Sequence, residues 1–497
     1  MADAVLIYPY IGDMDVVRDK PHLPLGLIQT ACLAAQHFDI TLIDLRVQSD
    51  WQSILKKELA ARPLFVGLSV MSGQPVARAW TVSRFVKESS DTPVLWGGNH
   101  PSLSPGETLG DPNVDMVVIG DGEETLLETM ERLDGQKSLK GVNGLWFKEG
   151  AEIVRNELRP PVDLDTLPPP PYHLVNVEDY IQEYRGKRMV NLETSRGCAH
   201  HCRYCYHTSQ SSNHRFRAMG VEQSLKRMFW ARDTMNVDGV YLVDDNFFLD
   251  RKRGLAIVEA LKSQSRQFYW QIQGVDVPSM LGFNNSQLGD LEKSGLQRVS
   301  VGAESGSPRV LNYVQKPHTV PMLLQANKLW SPFDINIFYS WLSGLPGETL
   351  EDLKKTVGVM FRILKDNPHA RLSPIYNFLP FPGTSMWDEV INNHGFQPPK
   401  NLKDWGNYDW SHVNVAYLDP GLKRTLDNLY FPSLCLDRKF DDFPAPWWLR
   451  WGVRLYRPLA KARMKTLYAG FPAERAAAAV AERILAAGNR VRTPWTL

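Results

Sequence analysis

Short apolar, β-branched runs recur along the chain with helical patterns between them, and this alternation limits the available folds more than any other feature. Residues 4–8 (AVLIY), 38–45 (FDITLIDL), 65–70 (FVGLSV), 93–97 (PVLWG) and 114–119 (VDMVVI) read as strands, with helices over 25–36 and 75–87. Strands this apolar must be covered on both faces, which is the condition of a parallel sheet in an α/β domain. Prolines 160, 161 and 168–171 then stiffen a linker. Beyond it the alternation resumes, with strands at 189–194, 240–244, 268–273, 298–302, 336–342 and 372–379 and helices such as 221–235, 251–263 and 349–364. Six βα units predict a partial (β/α)6 barrel whose chemistry lies at the carboxyl ends of its strands. The expected α/β chain therefore divides into a doubly wound, Rossmann-like domain (1–150), a Pro-rich linker (151–187), the barrel (188–390) and a mainly helical C-terminal region (391–497).

Composition excludes several function classes. Lys plus Arg number 56 and Asp plus Glu 55, a formal charge of +1, so no global field draws in nucleic acid. No apolar run reaches the roughly 18 residues of a membrane span, and the N-terminus lacks a basic region followed by a long apolar one. Three of the five cysteines fall within eight residues. That is the pattern of a metal site in a reducing compartment, and it predicts a cytoplasmic protein. Cys32 and Cys435 stand apart and read as buried core thiols.

Three small-residue turns fall at the carboxyl edge of the first sheet: Ser69, Met71, Ser72 and Gly73; Gly97, Gly98, Asn99 and His100; Gly120, Asp121, Gly122 and Glu123. Small residues let a ligand approach backbone, and ligands of parallel sheets bind at this edge. One such turn would merely reverse the chain; three favour a binding face.

The cysteines follow the first barrel strand in Glu193-Thr-Ser-Arg-Gly-Cys198-Ala-His-His-Cys202-Arg-Tyr-Cys205, a C-x3-C-x2-C spacing. Three thiolates hold three irons of a 4Fe–4S cube and leave the fourth iron open to a small molecule. Spacing alone also admits zinc, completed by His200, His201 or His207.

The cluster loop resembles that of the radical S-adenosylmethionine (SAM) enzymes, with Tyr204 at the aromatic position before the third cysteine. Val243-Asp244-Asp245-Asn246-Phe247 resembles the second-strand motif, whose polar end lies near the methionyl amino group. Val301-Gly302-Ala303-Glu304-Ser305-Gly306 resembles the fourth-strand SAM-binding segment. Ser343-Gly344-Leu345-Pro346-Gly347-Glu348-Thr349 and Leu379-Pro380-Phe381-Pro382-Gly383-Thr384 are similar to the fifth- and sixth-strand motifs of a branch with an N-terminal cobalamin-binding domain. Pro24-Leu25-Gly26-Leu27, Gly97-Gly98-Asn99-His100-Pro101 and Gly120-Asp121-Gly122-Glu123 match that domain. The collinear order, over about residues 1–390, sets zinc aside.

The resemblance implies a cobalamin-dependent radical SAM enzyme of the methyltransferase and anaerobic Mg-protoporphyrin ester cyclase-like branch. It implies Cys198, Cys202 and Cys205 as cluster ligands and catalytic centre. SAM contacts would come from Tyr204, Asp244, Asp245, Asn246, Glu304, Ser305, Gly306 and Pro380. Cobalamin contacts would come from Leu25, Gly26, Ser69, Met71, Ser72, Gly97, Gly98, His100, Gly120, Gly122 and Glu123. SAM would be cleaved to a 5′-deoxyadenosyl radical and a methyl group passed from cobalamin to an unactivated carbon, with two SAM consumed per turnover. An electron donor such as flavodoxin or ferredoxin is implied. Ring closure or another oxidative rearrangement is the alternative within the same machinery, and a non-catalytic cobalamin or iron–sulfur sensor the alternative outside it. Asp19-Lys-Pro-His22-Leu-Pro-Leu-Gly26 does not keep the D-x-H-x-x-G spacing of domains that ligate cobalt through histidine, so His22 is a poor ligand. Cobalamin would bind base-off without a protein imidazole, with residues 71–74 near its lower face.

In the 446–465 region, Trp447, Trp448, Trp451 and Leu455 share one helical face and Arg450, Arg454 and Arg457 another, with Pro458 expected to end the helix. The favoured reading packs the Trp face over the barrel mouth. The alternative is peripheral membrane contact, which would suit an apolar lipid, hopanoid or tetrapyrrole substrate. Trp405, Tyr408 and Trp410 are read as substrate-side or core residues, and 473–487 as a further helix.

Overall fold

The computed structural model describes residues 2–12, 20–208, 215–408, 417–468 and 470. Trp410, Asp19 and the 473–487 helix fall outside the described residues. Strands β1 (Ala4–Tyr8), β2 (Ile40–Asp44), β3 (Phe65–Ser69), β4 (Val94–Gly97) and β5 (Met116–Val118) form a parallel sheet in the order β2-β1-β3-β4-β5. Antiparallel β6 (Leu145–Glu149) and β7 (Glu152–Arg155) extend it. The order reverses between β1 and β3, so the crevice that a doubly wound sheet offers a ligand opens beside Ser69 and the turn after it. The expected strands are present, slightly shorter. The expected 25–36 helix breaks into Leu25–Thr30 and a 3-10 turn at Ala34–Gln36. The β6–β7 hairpin carries the first sheet past residue 150, so the linker begins in a strand.

The second sheet holds β8 (Gln182–Tyr184), β9 (Lys187–Leu192), β10 (Gly239–Leu242), β11 (Tyr269–Ile272), β12 (Leu296–Glu304), β13 (Asn336–Ser343) and β14 (Ala370–Asn377), each hydrogen-bonded to the next. β9 to β14 are all parallel and β8 pairs antiparallel to β9. This is the six-stranded partial barrel, with an extra edge strand drawn from the linker. Helices named below are α1 (Gln74–Ser89), α2 (Val320–Trp330), α3 (Leu350–Asp366), α4 (Pro420–Leu434) and α5 (Trp447–Thr466). Among the described residues, no helix is long and apolar enough to cross a membrane.

The C-terminal region departs most from expectation. Arg371, at the start of β14, donates to Asp442 at 2.6 Å. The N–H of Arg185, just before β9, donates to the Asp442 carbonyl. At the other end of α5, Lys465 lies over the ring of Phe361, late in α3. These anchors are all on the amino-terminal rim, so α5 does not cover the barrel mouth. Nor does it bury its tryptophans: it packs on Val453, Ala460 and Met464, while Trp447 is 75% and Leu455 77% exposed. The helix also runs through Pro458 instead of ending there, giving up one backbone bond. Trp405 and Tyr408 are core residues, buried against α1 and the first domain.

Candidate functional site

The three cysteines lie on the loop that leaves β9. Gly197 bends this loop at φ +82°, where a Cβ would sit 2.4 Å from the Arg215 carbonyl oxygen. Asp245 receives the Gly197 N–H at 2.8 Å and faces His207 Nε2 at the same distance. Asn246 points its amide nitrogen at Cys198 Sγ (3.9 Å) and at Asp276 (2.7 Å), which also holds His200 at 2.5 Å. Asp244 is turned inward instead. It is fully buried, accepts from Thr194 N–H, Thr194 Oγ1 and Ser195 Oγ, and so clamps the root of the cysteine loop. Among the described residues, no three His, Cys, Asp or Glu side chains converge on a single ion.

Burial raises all three cysteine thiols, Cys205 to about 12. Unpaired thiolates are therefore disfavoured here, and a strongly charged metal group would have to draw the protons off. Asn246 Oδ1 is buried beside Cys198 with no protein partner, an acceptor that costs about 1–3 kcal/mol until something donates to it. The chemistry of this donor set fits an iron–sulfur cluster flanked by a ligand bearing N–H groups.

Tyr204 donates to Glu304 Oε1 at 2.9 Å, and Lys316 Nζ reaches both Glu304 and the Tyr204 hydroxyl at 3.1 Å. Glu304 ends β12 at φ +60°, beside a register shift from Gly302. A Cβ on Gly302 would lie 2.3 Å from Glu304 Oε1 and 2.8 Å from Lys316 Nζ, so the glycine makes room for the pair. Sequence reasoning missed Lys316: it stands twelve residues beyond Glu304, a separation no local spacing rule connects. Ser305 and Gly306 turn away from the cysteines, toward Thr356 of α3. Pro380 uses its carbonyl to receive the Tyr408 hydroxyl.

The first domain meets this loop along its carboxyl edge. Arg196 donates to Glu123 (2.6 Å), Glu193 (2.6 Å) and Asp121 (3.2 Å), and Arg217 adds a 2.6 Å bond to Asp121. Tyr206 of the cysteine loop hydrogen-bonds Asn99. Leu23 N–H donates to Asn191 of β9, and the His22 ring lies tilted 5.4 Å from that of Tyr241.

Residues 192–360 match the radical SAM superfamily, and residues 17–129 match the B12 binding domain. The chain joins a B12-binding domain to a radical SAM domain. An uncharacterized methyltransferase of Pyrococcus horikoshii is 28% identical over 378 residues, covering 75% of this chain and 79% of that one. Anaerobic magnesium-protoporphyrin IX monomethyl ester cyclase of Synechocystis is 24% identical, covering 68% and 67%. The cobalamin-dependent SAM radical enzyme OxsB, solved with aqua-cobalamin and SAM bound, superposes with a TM-score of 0.70 over 93% of this chain and 71% of its own, at 18% identity. The radical SAM domain implies SAM and a 4Fe–4S cluster, and the B12-binding domain implies cobalamin.

At the edge of the B12-binding domain the residues divide by environment. Gly26, Gly97 and Gly120 are not closely covered, and Met71 is 37% exposed at the switch point beside Ser69. A Cβ on Gly98 would lie 2.9 Å from the Val70 carbonyl, so this glycine lets two edge turns touch. Ser72 Oγ is 3.2 Å from His100 Nδ1, while burial holds the His100 imidazole neutral, at about 3. Leu25 is buried, Gly122 packs on Thr30, and Glu123 is held by Arg196. The open edge and its glycine cradle fit a large planar ligand.

Proposed function

We propose that this protein methylates an unactivated carbon of a small molecule, using cobalamin as the methyl carrier. The observation that carries the reading is the seam, where the cysteine loop and the cobalamin-domain edge meet through Tyr206–Asn99 and Arg196–Glu123. When bound, the cluster and SAM supply a 5′-deoxyadenosyl radical that takes a hydrogen atom, and cobalamin supplies the methyl group.

The chain's own residues position and shield. Cys198, Cys202 and Cys205 would hold the cluster, with Asn246 Oδ1 accepting from the methionyl amino group. Asp245 keeps the loop bent, and Asp244 fixes its root. Glu304, set by Lys316 and Tyr204, would hold another polar part of SAM; Ser305 and Gly306 shape that strand end and Pro380 the neighbouring turn. Leu25, Gly26, Ser69, Met71, Ser72, Gly97, Gly98, His100 and Gly120 would border cobalamin, while Gly122 and Glu123 shape the last turn. Burial of the seam keeps water from a reactive intermediate. A flavodoxin or ferredoxin in the cytoplasm would deliver the electron. The α5 helix lies on the opposite rim, so its tryptophans do not argue for an apolar substrate.

The test is anaerobic reconstitution with iron, sulfide and hydroxocobalamin, then SAM and a strong reductant, scoring 5′-deoxyadenosine and S-adenosylhomocysteine. Cluster-dependent release of both supports methyl transfer. Release of 5′-deoxyadenosine alone with a turned-over substrate supports ring closure. Fully reconstituted protein that never cleaves SAM sinks the enzyme reading in favour of a sensor.

A further inference from the structure

The outer face of α5 plays no part in the site, yet among the described residues it is the largest cluster of exposed apolar side chains. Trp447, Trp448, Trp451, Leu455 and Leu459 are all exposed. At about 100° per residue they fall within a single arc of about 120°. The buried face of the same helix, Val453, Ala460 and Met464, lies on the opposite side. Leaving three tryptophans and two leucines in water is unfavourable in proportion to their area, and a patch of this kind marks a docking surface.

Cations border the patch. Arg454, Lys461 and Lys465 follow one edge of the apolar arc. Lys465 crosses to α3 over Phe361, and Phe361 lines a cleft of about 650 Å³ together with Lys328, Lys365 and Arg362. Two acids answer this charge locally: Asp441 pairs with Arg454 and Asp366 with Arg362. Lys328 and Lys365 remain exposed at the cleft. Aromatic and aliphatic side chains beside a cationic border are complementary to an anionic lipid surface, whose acyl boundary takes the rings and whose headgroups meet the lysines.

Other occupants fit the charge less well. Residues 471–497 contain four arginines and two glutamates, a net +2 that repeats the sign of the border. A second copy docked by twofold symmetry would set the same cations against one another.

We propose that the outer face of α5, with the adjoining α2–α3 cleft, seats the protein on an anionic membrane surface. The amino-terminal rim of the barrel then faces the lipid and the cysteine loop points away from it. Trp447, Trp451 and Leu455 enter the interface, and Lys328, Lys365 and Lys465 bind headgroup phosphates.

The experiment is flotation of the full chain with phosphatidylcholine vesicles, with and without phosphatidylglycerol, at low and high salt. Four forms are compared: wild type, Trp447→Ser/Trp451→Ser/Leu455→Ser, Lys328→Glu/Lys365→Glu, and a chain ending at Gly470. Wild type is expected to float with anionic vesicles and at least about tenfold less with neutral ones, and to be released by salt. Both substituted variants, melting as wild type does, are expected to stay behind by a similar factor. The proposal is overturned if wild type fails to float with anionic vesicles, or if the triple variant floats as well as wild type. It is overturned equally if wild type forms a dimer that the triple variant loses, or if only a chain ending at Gly470 floats. Flotation needs neither cluster nor SAM, so its failure would leave the enzymatic reading standing.

Discussion

Arg196, two residues before Cys198, donates to Glu123 of the cobalamin-binding domain at 2.6 Å. One buried charge thus ties the cysteine loop to the opposite sheet edge. The Glu123 side chain is 1% exposed and that of Arg196 18%, so the pair is held well away from solvent.

Breaking that pair should loosen the seam before it unfolds either domain. Arg196 keeps Glu193 and Asp121 when Glu123 is removed, so the loss stays below the roughly 3–5 kcal/mol of a buried pair broken outright. Glu123→Ala should therefore raise hydrogen exchange in both 120–123 and 195–198 and weaken cobalamin retention. Unchanged exchange in the cysteine loop would show that the two domains are held elsewhere.

Lys316 and Glu304 should behave as a unit. Lys316→Met leaves the Glu304 carboxylate buried without its cation and should weaken SAM binding by about 10- to 100-fold, or about 1.4–2.8 kcal/mol. Lys316→Arg should recover part of the loss. Gly302→Ala should resemble Lys316→Met, since its Cβ would invade the pair. Equilibrium dialysis with the reconstituted protein measures all three, and wild-type affinity in Lys316→Met would remove Lys316 from the site.

The five cysteines should separate cleanly. Cys198→Ala, Cys202→Ala or Cys205→Ala should each lower bound iron and sulfide to background. Cys32 and Cys435 are buried thiols, raised by burial to about 12 and about 11. Cys32→Ala and Cys435→Ala should keep a full complement. Loss of iron from either of those variants without loss of fold would contradict the assignment.

Glu348 gives the barrel a pH dependence. Its carboxylate accepts from Ser343 Oγ and from the N–H groups of Gly344 and Leu345, yet burial still pushes it up to about 7. A carboxyl raised in the folded chain is neutral in both states at low pH. As pH rises, the unfolded chain ionises first, so stability falls between about pH 4 and pH 7 and then levels, by about 3 kcal/mol in all. Glu348→Gln should flatten this segment of a plot of denaturation midpoint against pH. A wild-type midpoint that is flat or rises from pH 4.5 to 7 in this background would refute the assignment.

Legibility followed the range of the interaction. The first sheet was readable because a strand buried on both faces is apolar along its length, as AVLIY is at β1, while the barrel strands, which alternate in burial as Leu296–Glu304 does, were readable from the helical stretches between them. The cysteine loop was readable because its three thiols sit within eight residues. Lys316, Asp276 and Arg196 were not, because each finds its partner across a turn, a strand or a domain. Asp244 and Asp245 are adjacent in sequence and look alike, but consecutive residues leave a strand end in opposite directions. One clamps the core and the other faces the cysteines.

The α5 helix draws the same line. Its sequence determined an amphipathic helix with tryptophans and arginines on separate faces, and determined the two α/β domains and the three-thiol loop. Only the tertiary structure decided which face is buried and at which rim of the barrel. Periodicity records which side chains share a face, whereas burial depends on what the rest of the chain brings against it. Here Val453, Ala460 and Met464 fit the groove beside α3 and α4, and the tryptophans were left outside.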